Sequence, residues 1–358
     1  MFIFKFTCTH EGRLVLQFRN FHENIRNREK IRLNRILLED IMSLLIGSAA
    51  PIVALFASKK YYSAAVANTP VQLIWFLFSV HIPALVTGRM SYVDIAWPWG
   101  LVAIGLLPIF HPNGNVSWSL FSRGNLISGA YLIAGLRMGL GAIRFLRKGH
   151  LNEEMNRYLF QRRRWAKRGI TDENSFRFKL EMQKEIFVQC LANIGVLVVP
   201  MMLQGFGYLG PDTGLTKLEM LGWLLWISGF VFEHTGDVQK MKFISKCKKD
   251  GIRNAVCDIG LWNYTRHPNY FGEWMVWTSL VITSIPSLMA LLSTEEESFI
   301  VKLLLSISLP LVSYSMYDCL VYYTGAVPAE YYSVRSRPKY QEYQKSVNMF
   351  FPGPPRKI

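Results

Sequence analysis

Residues 260–293 read GLWNYTRHPNYFGEWMVWTSLVITSIPSLMALLS, a polar and aromatic cluster that runs directly into a long apolar segment. Pro268 lacks a backbone N–H and suits the first turn of a helix, which predicts a loop up to His267 followed by a membrane helix. Asn269 and Glu273 are four residues apart and share one face of that helix. Because ionisable groups at membrane depth cost free energy, they mark this helix start as the candidate functional site.

The same apolar pattern recurs along the chain. Of the 358 residues, 51% are hydrophobic and 18% are charged, and the hydrophobic residues are concentrated in blocks. Each block has about the length needed to cross a hydrocarbon core of about 30 Å. The blocks cover residues 42–57, 71–88, 93–110, 125–146, 186–207, 218–233, 270–293 and 299–323. They predict an all-α, polytopic integral membrane protein with about seven or eight transmembrane helices.

The net charge of +15 is confined to segments between the apolar blocks, which argues against nucleic acid as a partner. Lys and Arg are concentrated in residues 144–185, 240–266 and 335–357. An eight-span arrangement with a cytosolic N-terminus places all three regions on the cytosolic side, as the positive-inside rule requires. We expect a basic tail, residues 1–41, followed by a membrane domain, residues 42–358.

The cysteines argue against two kinds of site, and the start of the predicted helix favours a third. The five cysteines are odd in number and show no C-x-x-C pair, which argues against a disulfide framework or a metal site. The free backbone N–H groups at the start of the predicted helix favour an anion or a carboxamide nearby. Arg266 and His267 beside it are donors suited to phosphate, although they and Tyr264 also fit simple interfacial anchors.

Residues 260–273 resemble the signature of the membrane reductase superfamily that includes the steroid 5α-reductases. The similarity is greatest to its mostly uncharacterised branch, whose members carry G-L-W-x-Y-[ST]-R-H-P-N-Y-F-G-E. Further segments resemble family elements over about residues 70–355: 94–97 (D-x-x-W), 137–158 (R…R…E-D-x-R-Y), 232–240 (F-E-x-x-A-D-x-Q-K) and 340–352 (Y-x-x-Y…F-x-P). Met155, Asn156 and Gly236 depart from these patterns.

The resemblance implies that about residues 137–358 bind NADPH from the cytosolic side. Asn269 and Glu273 carry over to the nicotinamide end of the cofactor, and Asp237 carries over to the same cage. The family's C-terminal tyrosine carries over to either Tyr340 or Tyr343. The other candidate cofactor contacts, mostly for the pyrophosphate and the 2′-phosphate, are Arg137, Arg144, Arg157, Arg266, His267 and Tyr264. No G-x-G-x-x-G follows a strand pattern, so a dinucleotide would have to be bound without a Rossmann fold.

The chemistry implied is reduction of an activated C=C bond in a hydrophobic substrate such as a steroid, a polyprenoid or an enoyl lipid. Such a reaction needs a proton donor at the substrate carbonyl. The candidate catalytic residues are Glu273, Asp94 and Tyr92, because the last two are donor or acidic groups at the expected membrane depth. We expect the protein in the endoplasmic reticulum or a related endomembrane.

Two other functions stay open at this point. Isoprenylcysteine and phospholipid methyltransferases carry a similar R-H-P-x-Y-x-G stretch and bind S-adenosylmethionine, but Asn269 and Glu273 favour the reductase version. A non-enzymatic protein that binds a lipid or sterol in the same pocket is the third candidate. The sequence leaves the substrate and the oligomeric state open.

Overall fold

The computed structural model describes residues 47–211 and 213–356, and within these ranges the chain is helical without a strand. The all-α prediction is therefore confirmed. The helices are α1 (Gly47–Ala57), α2 (Tyr62–Phe76), α3 (Ile82–Thr87), α4 (Val93–Phe110), α5 (Arg123–Arg147), α6 (Asn156–Lys167), α7 (Phe176–Ile194), α8 (Val199–Gly205), α9 (Lys217–Lys249), α10 (Pro268–Ser293), α11 (Phe299–Asp318), α12 (Ala326–Ser336) and α13 (Tyr340–Ser346). The predicted tail, 1–41, lies outside the described residues.

Six helical segments in the described part of the chain are long and apolar enough to cross a membrane, which confirms a polytopic membrane protein. They are Tyr62–Thr87, Val93–Phe110, Arg123–Arg147, Phe176–Gly205, Pro268–Ser293 and Phe299–Ser336. The predicted span 218–233 lies within α9, which is not among these six segments and carries Glu219 and Glu233 in its apolar run. The predicted span 42–57 is represented by the shorter helix α1.

Two of the six segments contain a π-helical turn. Leu77–His81 joins α2 to α3, and Cys319–Tyr323 joins α11 to α12. Such wide turns are rare and occur often at functional sites. The second one matters here because it lies on the cytosolic half of the predicted topology, next to the helix start that carries Glu273.

Helices α9 and α10 pack closely along their length because glycines let their backbones approach. Gly222, Gly229 and Gly236 are spaced seven residues apart on the face of α9 that meets α10. A Cβ on Gly236 would contact Pro268 and the backbone of Asn269 at 3.2 Å. The packing of glycine against α10 thus holds the candidate site helix directly against α9.

The two ends of α10 differ in charge. At its far end, Glu297 accepts hydrogen bonds from the Ser58 hydroxyl at 2.6 Å and from the backbone N–H of Lys60 at 2.9 Å. Its Pro268 end lies with the basic regions, since α6 packs on α12 and the 264–267 loop bonds the C-terminal segment. The three basic regions of the sequence are therefore gathered at one end of the helices.

Candidate functional site

The loop before α10 is held by the C-terminal segment. The backbone N–H of Arg266 donates to the Asn348 carbonyl at 2.9 Å, and the N–H of Gly353 donates to the Tyr264 carbonyl at 3.0 Å. Pro268 then begins α10, as the sequence predicts. The Arg-His-Pro loop is therefore fixed by residues about eighty positions further along the chain.

Tyr340 and Tyr343, the two candidates for the family's C-terminal tyrosine, lie side by side on α13. Both are buried, and their ring centroids are 5.6 Å apart. The Tyr343 hydroxyl donates to the Trp262 carbonyl, so this residue ties α13 to the motif loop. This contact gives Tyr343 a structural role, and the cofactor contact stays a prediction for both residues.

Arg266 and His267 converge on Glu330 of α12, a residue that the sequence did not single out. Arg266 donates to the two Glu330 carboxylate oxygens at 2.7 and 3.1 Å and also donates to the Val347 carbonyl. His267 Nε2 lies 3.1 Å from the same carboxylate, and its ring stacks on Tyr270. Burial lowers the pKa of His267, although Glu330 opposes the shift. These contacts favour an anchoring role for Arg266 and His267, and their expected phosphate contact stays a prediction.

The α9 segment 236–240 docks against the other side of the motif loop. The indole N–H of Trp262 donates to the Gly236 carbonyl at 2.9 Å, and the Leu261 backbone N–H donates to Gln239 at 2.9 Å. The Lys240 ammonium lies 4.0 Å from the centre of the Trp262 ring, and burial lowers its pKa to about 8. The two family-like segments are therefore one packed unit.

Glu273 lies in a cluster of charged side chains from several helices. Arg137 of α5 pairs with Glu233 and, at 3.0 Å, with Asp237, both on α9. Glu273 is within electrostatic range of Arg137, Asp237 and Arg157. The structure thus brings together four residues that the sequence proposed as cofactor contacts, and their cofactor roles stay predictions. It adds Glu233, which the sequence quoted only as part of the F-E-x-x-A-D segment.

Asp94 of α4 extends the same cluster. The Tyr158 hydroxyl of α6 donates to its carboxylate at 2.7 Å, and the Arg157 guanidinium is 3.6 Å from it. Burial, together with Asp94, raises the pKa of Tyr158 well above its ordinary value, so this phenol keeps its proton at neutral pH. Tyr92, the predicted companion of Asp94, lies under the Arg89 guanidinium at 5.8 Å instead. The structure thus places the Tyr158 hydroxyl on Asp94, and the role of Tyr92 stays a prediction.

Among the groups of this cluster, two buried polar atoms lack a hydrogen-bond partner within the described part of the chain. They are Asn269 Oδ1 and Arg137 Nε. Buried polar atoms are nearly always paired, so an orphaned acceptor on a helix start indicates room for a donor from a ligand. The carboxamide N–H of a nicotinamide suits Asn269 Oδ1, and the residues present therefore fit that end of NADPH. The fit is weaker for its phosphates, because Arg137 and Arg266 are engaged by carboxylates.

An aromatic layer lies one helical turn further into the membrane. Trp97 follows Asp94 by three residues, and Trp277 follows Glu273 by four, so each is on the face of its charged neighbour. Their ring centroids are 6.2 Å apart, and Tyr131 meets the Trp277 ring edge-on at 5.7 Å. The charged cluster therefore borders apolar surface on its membrane side.

The remaining predicted residues lie away from the cluster. Arg144 is exposed, seven residues beyond Arg137 on α5, and the Tyr264 side chain is about half exposed. Their cofactor contacts stay predictions. The sequence did not single out a buried pair, Gln161 and Glu185. The Gln161 side-chain amide donates to the Glu185 carboxylate at 2.5 Å, and both residues line a cavity together with Arg157. Only the long-range packing of α6 on α7 brings these two together, so no local signal marks them.

A comparison with protein families identifies the relationship. The family model described as "Protein of unknown function (DUF1295)" matches residues 75–347. The chain belongs to this family. The DUF1295 match includes every member of the charged cluster, from Asp94 to Glu273, and the loop that precedes α10. Neither the curated proteins nor the solved structures contained a match to the chain.

Proposed function

We propose that this DUF1295 protein is a membrane-embedded reductase that uses NADPH to reduce a C=C bond in a hydrophobic substrate. One observation carries the proposal: Asn269, with its unpaired buried oxygen, and Glu273 begin a membrane helix inside a charged cluster from several helices. The resemblance of residues 260–273 to the steroid 5α-reductase superfamily supports the same conclusion. When bound, NADPH would supply the hydride for this chemistry.

The residues of α10 would hold and orient the nicotinamide end of the cofactor. Asn269 Oδ1 would accept from the carboxamide, and the free N–H groups of the first turn would face the same group. Glu273 would remain beside Arg137, whose other partners, Glu233 and Asp237, fix its guanidinium. Fixing these groups before binding reduces the conformational freedom lost when the ligand is ordered.

Asp94, Arg157 and Tyr158 would manage the proton that the reduction requires. The Tyr158 hydroxyl, which Asp94 holds in place by accepting its hydrogen bond, would donate its proton to the substrate oxygen, and water would return a proton to the phenolate after the reaction. Arg157 would stabilise negative charge on either group, because it is within ion-pair distance of Asp94. These three side chains come from α4 and α6, whereas Glu233 and Asp237 come from α9.

The substrate would be apolar over most of its surface. Trp97 and Trp277 lie between the charged cluster and the membrane interior and would contact its hydrophobic body. A steroid, a polyprenoid or an enoyl lipid fits this division between a polar end and an aromatic layer. The basic regions favour a cofactor site that faces the cytosol. We propose the endoplasmic reticulum or another endomembrane as the membrane.

Cofactor binding by the purified protein tests the proposal. We expect NADPH to bind and S-adenosylmethionine not to bind. Glu273→Gln and Asn269→Ala should abolish cofactor-dependent reduction and weaken NADPH binding while the unfolding temperature stays near that of the parent. Glu153→Gln, an exposed carboxylate outside the cluster, is the matched control and should behave like the parent.

The results separate the rival functions. Binding of S-adenosylmethionine alone would favour a methyltransferase of the isoprenylcysteine or phospholipid type. A protein that retains lipid but binds neither cofactor would be a non-enzymatic lipid-binding protein. Normal NADPH binding and turnover in both α10 variants would mean that this helix start is not the cofactor site.

A further inference from the structure

Two arginines face one aromatic ring at the basic end of the helices, away from the charged cluster. The Arg163 guanidinium carbon of α6 is 4.3 Å from the centre of the Tyr331 ring, and that of Arg335 on α12 is 3.4 Å from it. Phe160 meets the same ring edge-on at 5.2 Å. Two cationic side chains from different helices therefore lie against the Tyr331 ring, and Phe160 packs against the same ring.

Within residues 47–211 and 213–356, neither arginine has an acidic partner. Among the residues that the structure describes, no carboxylate lies within 4.0 Å of Arg163 or Arg335. Arg335 does donate to the carbonyl of Tyr331 at 2.6 Å, which fixes its side chain. The one acidic residue of this part of α12, Glu330, is already paired with Arg266. The two guanidinium groups therefore hold uncompensated positive charge.

Because Arg163 and Arg335 lie against the same Tyr331 ring, a single anion could contact both. Both guanidinium carbons are close to one ring centre, so they lie within about 8 Å of each other, where like charges repel. An anion between them removes that repulsion, and a guanidinium offers the planar pair of donors that phosphate oxygens accept. Both side chains are exposed, so a ligand can reach them.

The position of Tyr331 and Arg335 along their helix indicates which molecule would carry such a phosphate. Tyr331 and Arg335 lie in the last two turns of Phe299–Ser336, a segment long and apolar enough to cross a membrane. Tyrosines and arginines at the end of such a segment are at headgroup depth. The neighbouring basic residues of α6 belong to the same end, and cytoplasmic leaflets are rich in anionic lipids.

We propose that Arg163, Tyr331 and Arg335 form a clamp for the phosphate of an anionic phospholipid headgroup. The phosphate would accept from both guanidinium groups, and Tyr331 would keep them parallel to its ring. The clamp joins α6, which carries Arg157 and Tyr158, to α12, which carries Glu330. A bound headgroup would therefore hold together two helices that support the charged cluster, independently of the reaction performed there.

Titration of the detergent-purified full chain with short-chain lipids tests the clamp. Dioctanoyl phosphatidic acid should raise the unfolding temperature, and dioctanoyl phosphatidylcholine should not. At about 1 kcal/mol for each arginine, the double variant Arg163→Gln/Arg335→Gln should bind phosphatidic acid about 30-fold more weakly. Arg177→Gln, an exposed arginine at the start of α7, is the matched control and should keep the parent affinity.

Further measurements keep the result decisive. If the double variant fails to fold, Arg163→Lys should fold and bind more weakly than the parent, since it keeps the charge but loses the planar donor pair. Equal binding by the parent, the double variant and Arg163→Lys would overturn the clamp. Inorganic phosphate and NADPH should not displace the lipid when present at the same concentration. If either does, the two arginines bind a soluble phosphate ligand, and the lipid assignment is overturned.

Discussion

Substitution of Gly272 by Ala tests the packing that holds the candidate site. Gly272 lies on α10, one residue before Glu273, at the contact with α9. A Cβ built there would be 2.6 Å from the backbone nitrogen of Glu233 and 2.7 Å from its Cα and Cβ. The obstacle is backbone rather than a flexible side chain, so the helices themselves must separate.

The cost follows from the distance that has to be recovered. Ordinary contacts begin at 3.4 Å, so the closest approach, now 2.6 Å, must lengthen by about 0.8 Å. Overpacking of this kind usually costs about 1–3 kcal/mol, and the higher helix propensity of Ala returns about 1 kcal/mol at most. Because the obstacle is backbone, we take about 2–3 kcal/mol for the overpacking and expect a net loss of about 1–2 kcal/mol. Cofactor binding should also weaken, because the shift moves Glu233 and Asp237 away from α10.

Thermal unfolding of the purified chain in detergent measures this loss. Gly129→Ala on α5 is the control, since its Cβ would meet no heavy atom within 4 Å. That variant should be as stable as the parent or slightly more stable. Two results would show that close α9–α10 packing does not stabilise the protein. In the first, Gly272→Ala unfolds at the same temperature as the parent. In the second, Gly129→Ala is destabilised as much as Gly272→Ala.

Three further predictions concern the anchors of the motif loop. Glu330→Ala should destabilise the protein by about 3–5 kcal/mol in chemical denaturation, since it leaves the buried Arg266 guanidinium without its carboxylate; a loss below about 1 kcal/mol would contradict this pairing. Tyr343→Phe should cost about 1–3 kcal/mol in the same assay, because the Trp262 carbonyl loses its donor, and unchanged stability would argue against that bond. The pKa of His267 is lower in the folded state than its ordinary value of 6.5, so the unfolded chain binds more protons below that pH, and stability should fall as pH is lowered from 7 to 5. This slope should be smaller in His267→Gln, and an identical slope would mean that another group causes it.

Much of the fold could be predicted from local pattern. Pro268 marked the start of α10, and six apolar blocks marked six membrane-spanning segments. Some helices are longer than the predicted spans, because a helix continues into polar sequence beyond its apolar block. Helix α7 begins at Phe176 rather than at residue 186, and α9 extends to Lys249 rather than ending at residue 233. Helix length depends on backbone hydrogen bonding and packing, which a hydropathy pattern does not measure.

The candidate site was predictable only in part. Asn269 and Glu273 were identified because their spacing places them on one helix face, and Asp237 because it lies in a segment that resembles a family element. Glu330 and Tyr158 were not assigned roles, since each meets its partner across a large separation in sequence. Arg266 illustrates the difference: its position beside a helix start suggested a phosphate ligand, and its contacts favour an anchor for the loop.

The sequence by itself determined that this is a polytopic helical membrane protein, and it located the candidate functional residues at 260–273. Those properties depend on composition and on spacing within single helices, and both can be read along the chain. The tertiary structure alone decided which polar groups meet: Arg137 with Glu233 and Asp237, Asp94 with Tyr158. These contacts join α5 to α9 and α4 to α6, and they depend on which helix packs against which, a property that spacing along a single helix does not contain.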